Sequence, residues 1–396
     1  MSDRTISDNQ RLWLGTQTRI WESEGLITAE AGERIRGRYV VAQQVNLTRL
    51  VVFLGAAFVA VGLIWLVAAN LQRFSPGGRF AVVVLVWLAL MVGTEVLRAR
   101  SGGADTVWVS ALRVIAAGAF GAVVFQAANS LNAPTDRAIL LGAWAGGALV
   151  LAYGVRSFPV LVVAVPLTLA WVFWQTLEAQ ETQFNAGLGA ALAGVVGAGV
   201  AGAHARLWPI GALPWREFGA MGSLLAVFIT GIPSGGRSVS FGGPVIAVLI
   251  AAVLVCGVLA IRADRATRVH ALVAFGALAL GLLLSRWQAQ FGFLDVDSRL
   301  TGATTSAILR ASVAVLGFLL LATGVAVIGV LRESPRLAFA ATAALVLFVT
   351  VQAFAVFAPI LSGATLFLVL GVVLLATGYA AERGRRRLQA RRESLA

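Results

Sequence analysis

The sequence has no lysine, one cysteine and two histidines in 396 residues. The absence of lysine excludes a phosphate-loop lysine, a Schiff-base lysine and a lysine general base. The single thiol, that of Cys256, can form neither an internal disulfide nor a Cys-x-x-Cys site. His204 and His270 stand far apart, and neither has a cluster of carboxylates or thiols beside it in the sequence. We therefore expect no metal site and no cofactor.

Charge is also scarce, since 12% of the residues are charged and 59% are hydrophobic. A soluble domain has about 25% charged residues, so most of this surface is expected to face lipid. The 31 basic residues are all arginine, against 18 acidic residues. The arginines stand between apolar runs and at the C-terminus, which is typical of membrane topology signals and not of nucleic-acid binding.

About twelve apolar segments are long enough to cross a hydrocarbon layer about 30 Å thick. They predict an all-α fold, a polytopic transmembrane helical bundle of about twelve helices. The segments are residues 48–70, 79–98, 107–130, 138–154, 157–177, 186–204, 217–232, 243–261, 269–287, 305–331, 337–358 and 361–381.

The distribution of arginine predicts an orientation. If both termini are cytoplasmic and the segments alternate in direction, 23 of the 31 arginines lie on the cytoplasmic side and six on the outer side. This bias agrees with the positive-inside rule. The chain then divides into a cytoplasmic helical hairpin (1–46), the transmembrane bundle (47–382) and a basic cytoplasmic tail (383–396).

The polar N-terminal segment predicts two short helices. Gly25 is suited to end the first helix, and Thr28 is suited to cap the second, with Glu30 in its first turn. We expect the second helix to continue through Tyr39 and Ala42, and the hairpin to contact the bundle or a protein partner.

Four stretches in this order resemble a known family. They read W…EGLIT.E…I…Y, LGAAFVAVGLIWLVAAN, GAFGAVVFQAANSLNAPTD and LFLVLGVVLLATGYAAERGRRR. They resemble the bacterial predicted membrane proteins grouped as domain of unknown function 2157. The domain itself would cover about residues 10–150, and the fourth stretch extends the resemblance to the C-terminal region. Asn70 and Gln126 match the family pattern, whereas Leu71 and Ala128 replace an aromatic residue and a tyrosine. The resemblance implies a bacterial plasma (inner) membrane protein and no particular activity.

Two apolar segments end in Ala-Ala-Asn, at Asn70 and Asn129, and both endings lie on the predicted outer side. One hypothesis is helix capping, because asparagine tolerates the left-handed conformation that ends helices. The other is a candidate outer polar pocket formed by Asn70, Gln126, Asn129, Asp136 and Arg137.

Glu95 and Arg113 are charged residues inside apolar segments, each nine positions from the centre of the turn between them. An antiparallel pair of helices would place them at the same depth, so they form a candidate buried ion pair. The alternative is that both side chains extend to the cytoplasmic surface.

Two glycine-rich stretches, GAWAG at 142–146 and GAGVAG at 197–202, predict close helix packing. The second fits the G-x-G-x-x-G pattern of dinucleotide-binding loops. No strand precedes it, however, so a dinucleotide site is not expected.

No catalytic constellation is present, and we expect an integral membrane protein with a structural, regulatory or small-ligand-binding role. The alternative is a twelve-helix secondary transporter built from two six-helix halves. A third hypothesis, an outer-face enzyme acting on lipid-linked sugars, depends on Asp295 and Asp297 alone. The expected partners are the bilayer and, at Arg385, Arg386 and Arg387, anionic lipid.

Overall fold

The structure is a computed structural model. It describes residues 4–6, 8–37, 39–41, 52, 54–56, 58–59, 62, 75–179, 182–232, 243–287, 305–332 and 334–357.

The N-terminal unit consists of two helices and two very short strands. The first helix ends as predicted, because Gly25 has a φ of +73° and the Leu26 amide donates to the carbonyl of Trp21 at 2.9 Å. The second begins as predicted, since the Ala31 amide donates to the Thr28 hydroxyl at 3.2 Å. The elements are β1 (Arg4–Ile6), α1 (Asp8–Ser23), α2 (Ala29–Gly37) and β2 (Tyr39–Val41).

The prediction that the second helix continues through Tyr39 is wrong. The helix ends at Gly37, and Tyr39 pairs with Arg4 in a parallel two-stranded sheet. Glycine weakens a helix, and the Tyr-Val-Val sequence of β2 favours an extended strand. Ala42 lies outside the described residues.

Ten longer helices follow in the part of the chain that the structure describes. They are α3 (Pro76–Arg100), α4 (Val107–Ser130), α5 (Ala138–Gly154), α6 (Phe158–Ala179), α7 (Gln183–Leu207), α8 (Ala212–Gly231), α9 (Gly243–Arg262), α10 (Arg265–Arg286), α11 (Thr305–Leu331) and α12 (Pro335–Phe357).

These helices match ten of the twelve predicted segments to within a few residues. Among the described residues, seven are long and apolar enough to cross a membrane: α3, α4, α6, α7, α10, α11 and α12. The described positions between 52 and 62, in the first segment, are also helical, and the last segment, 361–381, lies outside the described residues. The predicted transmembrane helical bundle is therefore confirmed, with the two short strands added to it.

Most of these helices pack against the next helix in the chain, and α7 and α8 share the most extensive contact. At their crossing the backbone of Gly197 lies against Gly219, so there is no room for a side chain. This confirms the close packing predicted for GAGVAG. In GAWAG, Gly142 lies against the Trp171 ring, whereas Gly146 faces open space.

A second packing layer joins α8, α10, α11 and α12. Phe318 and Phe348 are both fully buried there, with stacked rings whose centroids are 4.1 Å apart. Because successive helices alternate in direction, the ends of α7, α9 and α11 meet the beginnings of α8, α10 and α12. Polar side chains from separate parts of the sequence come together at this end of the bundle.

Candidate anion-binding site

Two members of the predicted outer pocket, Gln126 and Arg137, make their polar contacts with residues outside it. Asn70 lies outside the described residues. Gln126 is buried, and its amide donates to the Ser130 hydroxyl at 3.1 Å. Ser130 in turn donates to the carbonyl oxygen of Pro76 at 2.8 Å. This chain of hydrogen bonds fastens the end of α4 to the start of α3.

The other three residues of that pocket are exposed. Asn129 and Asp136 face away from the helix contacts, and Arg137 forms an ion pair with Glu178 at 2.5 Å. Glu178 also accepts a hydrogen bond from the amide of Ala138 at 3.3 Å. The pair therefore joins the start of α5 to the end of α6.

The left-handed residue that ends α4 is Asn132, three positions after Asn129. Asn132 has a φ of +51°, and the amide of Ala133 donates to the carbonyl of Ala128 at 2.8 Å. This is the usual backbone arrangement at a helix C-terminus. At the end of α4 the residue in this conformation is therefore Asn132 and not Asn129, while the same hypothesis for Asn70 concerns a residue outside those described.

Glu95 and Arg113 do lie together, with Nη2 of Arg113 3.5 Å from Oε1 of Glu95. Asp105, in the turn between α3 and α4, is closer, at 2.9 Å from Nη1 of Arg113. Arg98 contacts both acids, at 3.6 Å and 3.3 Å. Only the Arg113 side chain is buried, whereas that of Glu95 is 53% exposed. The two positive charges of the arginines equal the two negative charges of the carboxylates, so this cluster has no excess charge to attract a ligand.

A different polar cluster surrounds a cavity of about 50 Å³ at the helix ends described above. We call it the Arg-His cavity and define it by four polar residues, the remainder of its lining being alanine and proline. The polar residues are Arg216 in α8, Thr267 and His270 in α10, and Arg332 directly after α11.

His270 is the most unusual member of the cluster. Its side chain is 1% exposed, and Nε2 has no hydrogen-bond partner among the residues that the structure describes. An unpaired buried polar atom costs about 1–3 kcal/mol, and such atoms are rare in native proteins. Because His270 is among the residues that line the cavity, a ligand there would lie beside this imidazole.

Arg216 supplies a second buried polar atom without a partner. Its Nε has no acceptor within the described ranges. The neighbouring carboxylate of Glu217 is engaged elsewhere, since it accepts a hydrogen bond from the Ser334 hydroxyl at 2.9 Å. The guanidinium of Arg216 therefore contributes positive charge to the cavity lining.

Arg332 is held at the rim of the cavity by Asp264. Its Nη2 lies 2.6 Å from Oδ2 of Asp264 and donates to the Thr267 hydroxyl at 3.2 Å. Thr267 donates to the other oxygen of Asp264 at 2.5 Å. Partial burial alone would raise the pKa of Asp264. The hydrogen bonds from Thr267 and the charge of Arg332 together outweigh this effect of burial, so the pKa of Asp264 lies below its ordinary value of 3.8.

Sequence reasoning missed this cluster because its members come from three separate turns. Arg216 and Arg332 were interpreted only as topology signals, and His270 has no acidic or thiol cluster beside it in the sequence. The available signal was weak: His270 lies near the start of an apolar helix, close to Arg262, Arg265 and Arg268 in the sequence.

Comparison with known proteins gives one result. The family model described as predicted membrane protein (DUF2157) matches residues 19–161. No curated protein and no solved structure matches the chain. The matched region ends in α6, so the Arg-His cavity lies outside it. The resemblance is thus confirmed over residues 19–161, where this chain is similar to the predicted membrane protein family of unknown function 2157.

Proposed function

We propose that this protein is a membrane protein without catalytic activity that binds a small anion in the Arg-His cavity. The observation that carries the proposal is that His270, whose buried Nε2 has no partner among the described residues, lines a cavity together with Arg216 and Arg332. An anion would provide an acceptor for Arg216 and Arg332. It would also offset the cost of leaving polar atoms unpaired.

The charge around the cavity supports an anion over a cation. Of the described carboxylates, Asp264 contacts the cluster and is already engaged by Arg332 and Thr267. The second arginine, Arg216, makes no direct ion pair among the described residues, although the charges of Glu217 and Asp264 both act on it. The lining therefore has more hydrogen-bond donors than acceptors, as anion sites require.

We propose that the protein lies in the bacterial inner membrane with both termini cytoplasmic, because most of its arginines are then on the cytoplasmic side. In this orientation the Arg-His cavity is at the cytoplasmic side, so its ligand would come from the cytoplasm or the inner leaflet. The exposed side chains of Ile20 and Leu26, 40% and 67% exposed, support a protein partner for the N-terminal hairpin. The positive charge of residues 385–387 supports contact with anionic lipid.

The test is a thermal-stability measurement on the full chain, purified in an uncharged maltoside detergent. Sodium salts of chloride, nitrate, sulfate and phosphate are compared at constant ionic strength with gluconate, an anion too large for the cavity. We expect at least one small anion to raise Tm of the wild type relative to gluconate, because a ligand that binds only the folded state stabilises it.

Arg216→Gln should abolish that increase, whereas Arg268→Gln should retain it. Arg268 is an exposed arginine on α10, so this control removes the same charge without changing the cavity. Equal increases in the wild type and Arg216→Gln, or no increase with any small anion, would overturn the proposal.

A further inference from the structure

We infer that the anion in the Arg-His cavity is a phosphate group that carries a hydrogen, either inorganic phosphate or the phosphomonoester of a lipid headgroup. This inference rests on the proposed function and specifies the chemical class of its ligand. Size, donor geometry and the chemistry of His270 support it.

The size of the cavity fits a single tetrahedral oxyanion. Its volume is about 50 Å³. One water molecule requires about 10–15 Å³, so the cavity has room for a small polyatomic group. A phosphate group has five heavy atoms. A halide would leave most of the space empty, and a nucleotide or a sugar would not fit.

The donors match the oxygens of a phosphate. Arg216 in α8 and Arg332, directly after α11, both line the cavity, and a guanidinium is a planar fork suited to paired oxygens, although Nη2 of Arg332 already binds Asp264 and Thr267. Ala212 and Ala266, at the starts of α8 and α10, also line the cavity. Both helix N-termini therefore add positive potential on the same side as the arginines.

His270 distinguishes phosphate from other oxyanions. A neutral imidazole nitrogen donates or accepts a hydrogen bond according to its tautomer. With two guanidinium groups facing the same space, donors are in excess, and Nε2 acting as an acceptor completes the set. Monohydrogen phosphate and the monoanion of a phosphomonoester offer a hydroxyl to that acceptor, whereas sulfate, chloride and a phosphodiester do not.

The rim of the cavity leaves both sources of phosphate accessible. The Arg332 and Asp264 side chains, 29% and 52% exposed, lie at the outer edge of the cluster. In the proposed orientation, this edge is where the cytoplasm meets the headgroups of the inner leaflet. A dissolved phosphate and the headgroup of a bilayer lipid could each enter there.

The experiment measures binding to the full chain in maltoside. Equilibrium dialysis with radiolabelled inorganic phosphate gives Kd, and competition with sulfate and chloride gives selectivity. Dioctanoyl phosphatidic acid, a phosphomonoester, is compared with dioctanoyl phosphatidylglycerol, a diester. We expect inorganic phosphate or phosphatidic acid to bind about tenfold more tightly than sulfate, a difference of about 1.4 kcal/mol.

The two sources give different results. Binding of inorganic phosphate identifies a soluble ligand, and binding of phosphatidic acid alone identifies a lipid headgroup. If phosphate, sulfate, chloride and the diester lipid bind equally, this inference is overturned while the proposed anion binding stands. If no anion binds, both are overturned.

His270→Leu tests the role of the imidazole. We expect it to remove the preference for phosphate over sulfate without lowering Tm of the unliganded protein, because it eliminates a buried unpaired nitrogen. Arg268→Gln should keep both properties. If His270→Leu does not fold, His270→Asn, which keeps a polar side chain, replaces it. An unchanged preference in the variant that folds would overturn the inference.

Discussion

Nη2 of Arg310 in α11 lies 2.8 Å from the carbonyl oxygen of Thr230, at the C-terminal end of α8. The same guanidinium donates to the carbonyls of Gly231 at 3.3 Å and Leu284 at 3.2 Å, so it also reaches the end of α10. Its side chain is 5% exposed. Helix C-termini carry partial negative charge, and two of them here supply the counter-charge that a carboxylate would otherwise provide.

We therefore expect Arg310→Met to destabilise the protein by about 3 kcal/mol, because several charge-assisted hydrogen bonds are lost. Arg310→Lys should be intermediate, since an ammonium group keeps the charge but cannot reach all three carbonyls in one plane. The measurement is unfolding by denaturing detergent, monitored by tryptophan fluorescence. The control is Arg100→Gln, an exposed arginine at the end of α3. Equal stability of Arg310→Met and this control would contradict the prediction.

Asp105 should contribute more to stability than Glu95, although sequence reasoning paired Glu95 with Arg113. Asp105 is nearer to the buried guanidinium, at 2.9 Å against 3.5 Å. We expect Asp105→Asn to cost about 1–3 kcal/mol, the range for leaving a buried group without its partner. Glu95→Gln should cost less, because Asp105 still neutralises Arg113. The same unfolding assay ranks the two variants, and the reverse order would refute this account.

These residues show where sequence reasoning succeeds and where it stops. Hydropathy located the helices, because apolar length is a property of each segment alone. The equal distance of Glu95 and Arg113 from their turn was enough to place them in contact. It could not reveal Asp105, since the conformation of the turn decides which carboxylate reaches the guanidinium.

The partners of Arg310 and His270 could not be predicted from the sequence, for a different reason. Arg310 binds backbone carbonyls, which every residue has and which leave no signature in the sequence. His270 faces Arg216 and Arg332 only because three helical hairpins meet at one end of the bundle. Such contacts depend on how distant segments pack, and a single sequence without the fold does not specify them.

Alanine substitutions in the two glycine-rich stretches should have opposite effects. A methyl group at Gly197 would meet the backbone of Gly219 and, at 2.7 Å, the carbonyl of Trp215, so Gly197→Ala should force α7 and α8 apart. At Gly146 nothing lies within 4 Å. Gly146→Ala should therefore be neutral or stabilising by up to about 1 kcal/mol, the difference in helix propensity.

Thermal unfolding in maltoside checks this pair directly. Both glycines lie in apolar helices and both changes add one methyl group, so each variant serves as the control for the other. We expect a large fall in Tm for Gly197→Ala and none for Gly146→Ala. Equal falls would show that glycine content, and not the contact with Gly219, determines the packing.

Asp264 should make stability depend on pH in the acid range. Its pKa in the folded protein lies below the ordinary value of 3.8, so folding favours the ionised carboxylate. The stabilisation from its contact with Arg332 is therefore complete above about pH 3.8, and it is lost as the pH falls through the lowered pKa. Asp264→Asn should lower Tm at pH 7, and the difference in Tm between this variant and the wild type should shrink toward zero below that pKa.

Asp136→Asn, which changes an exposed carboxylate in the turn before α5, is the control and should leave Tm unchanged at pH 7. A difference between Asp264→Asn and the wild type that stays constant at all acidic pH values would show that the contact with Arg332 does not depend on the charge of Asp264.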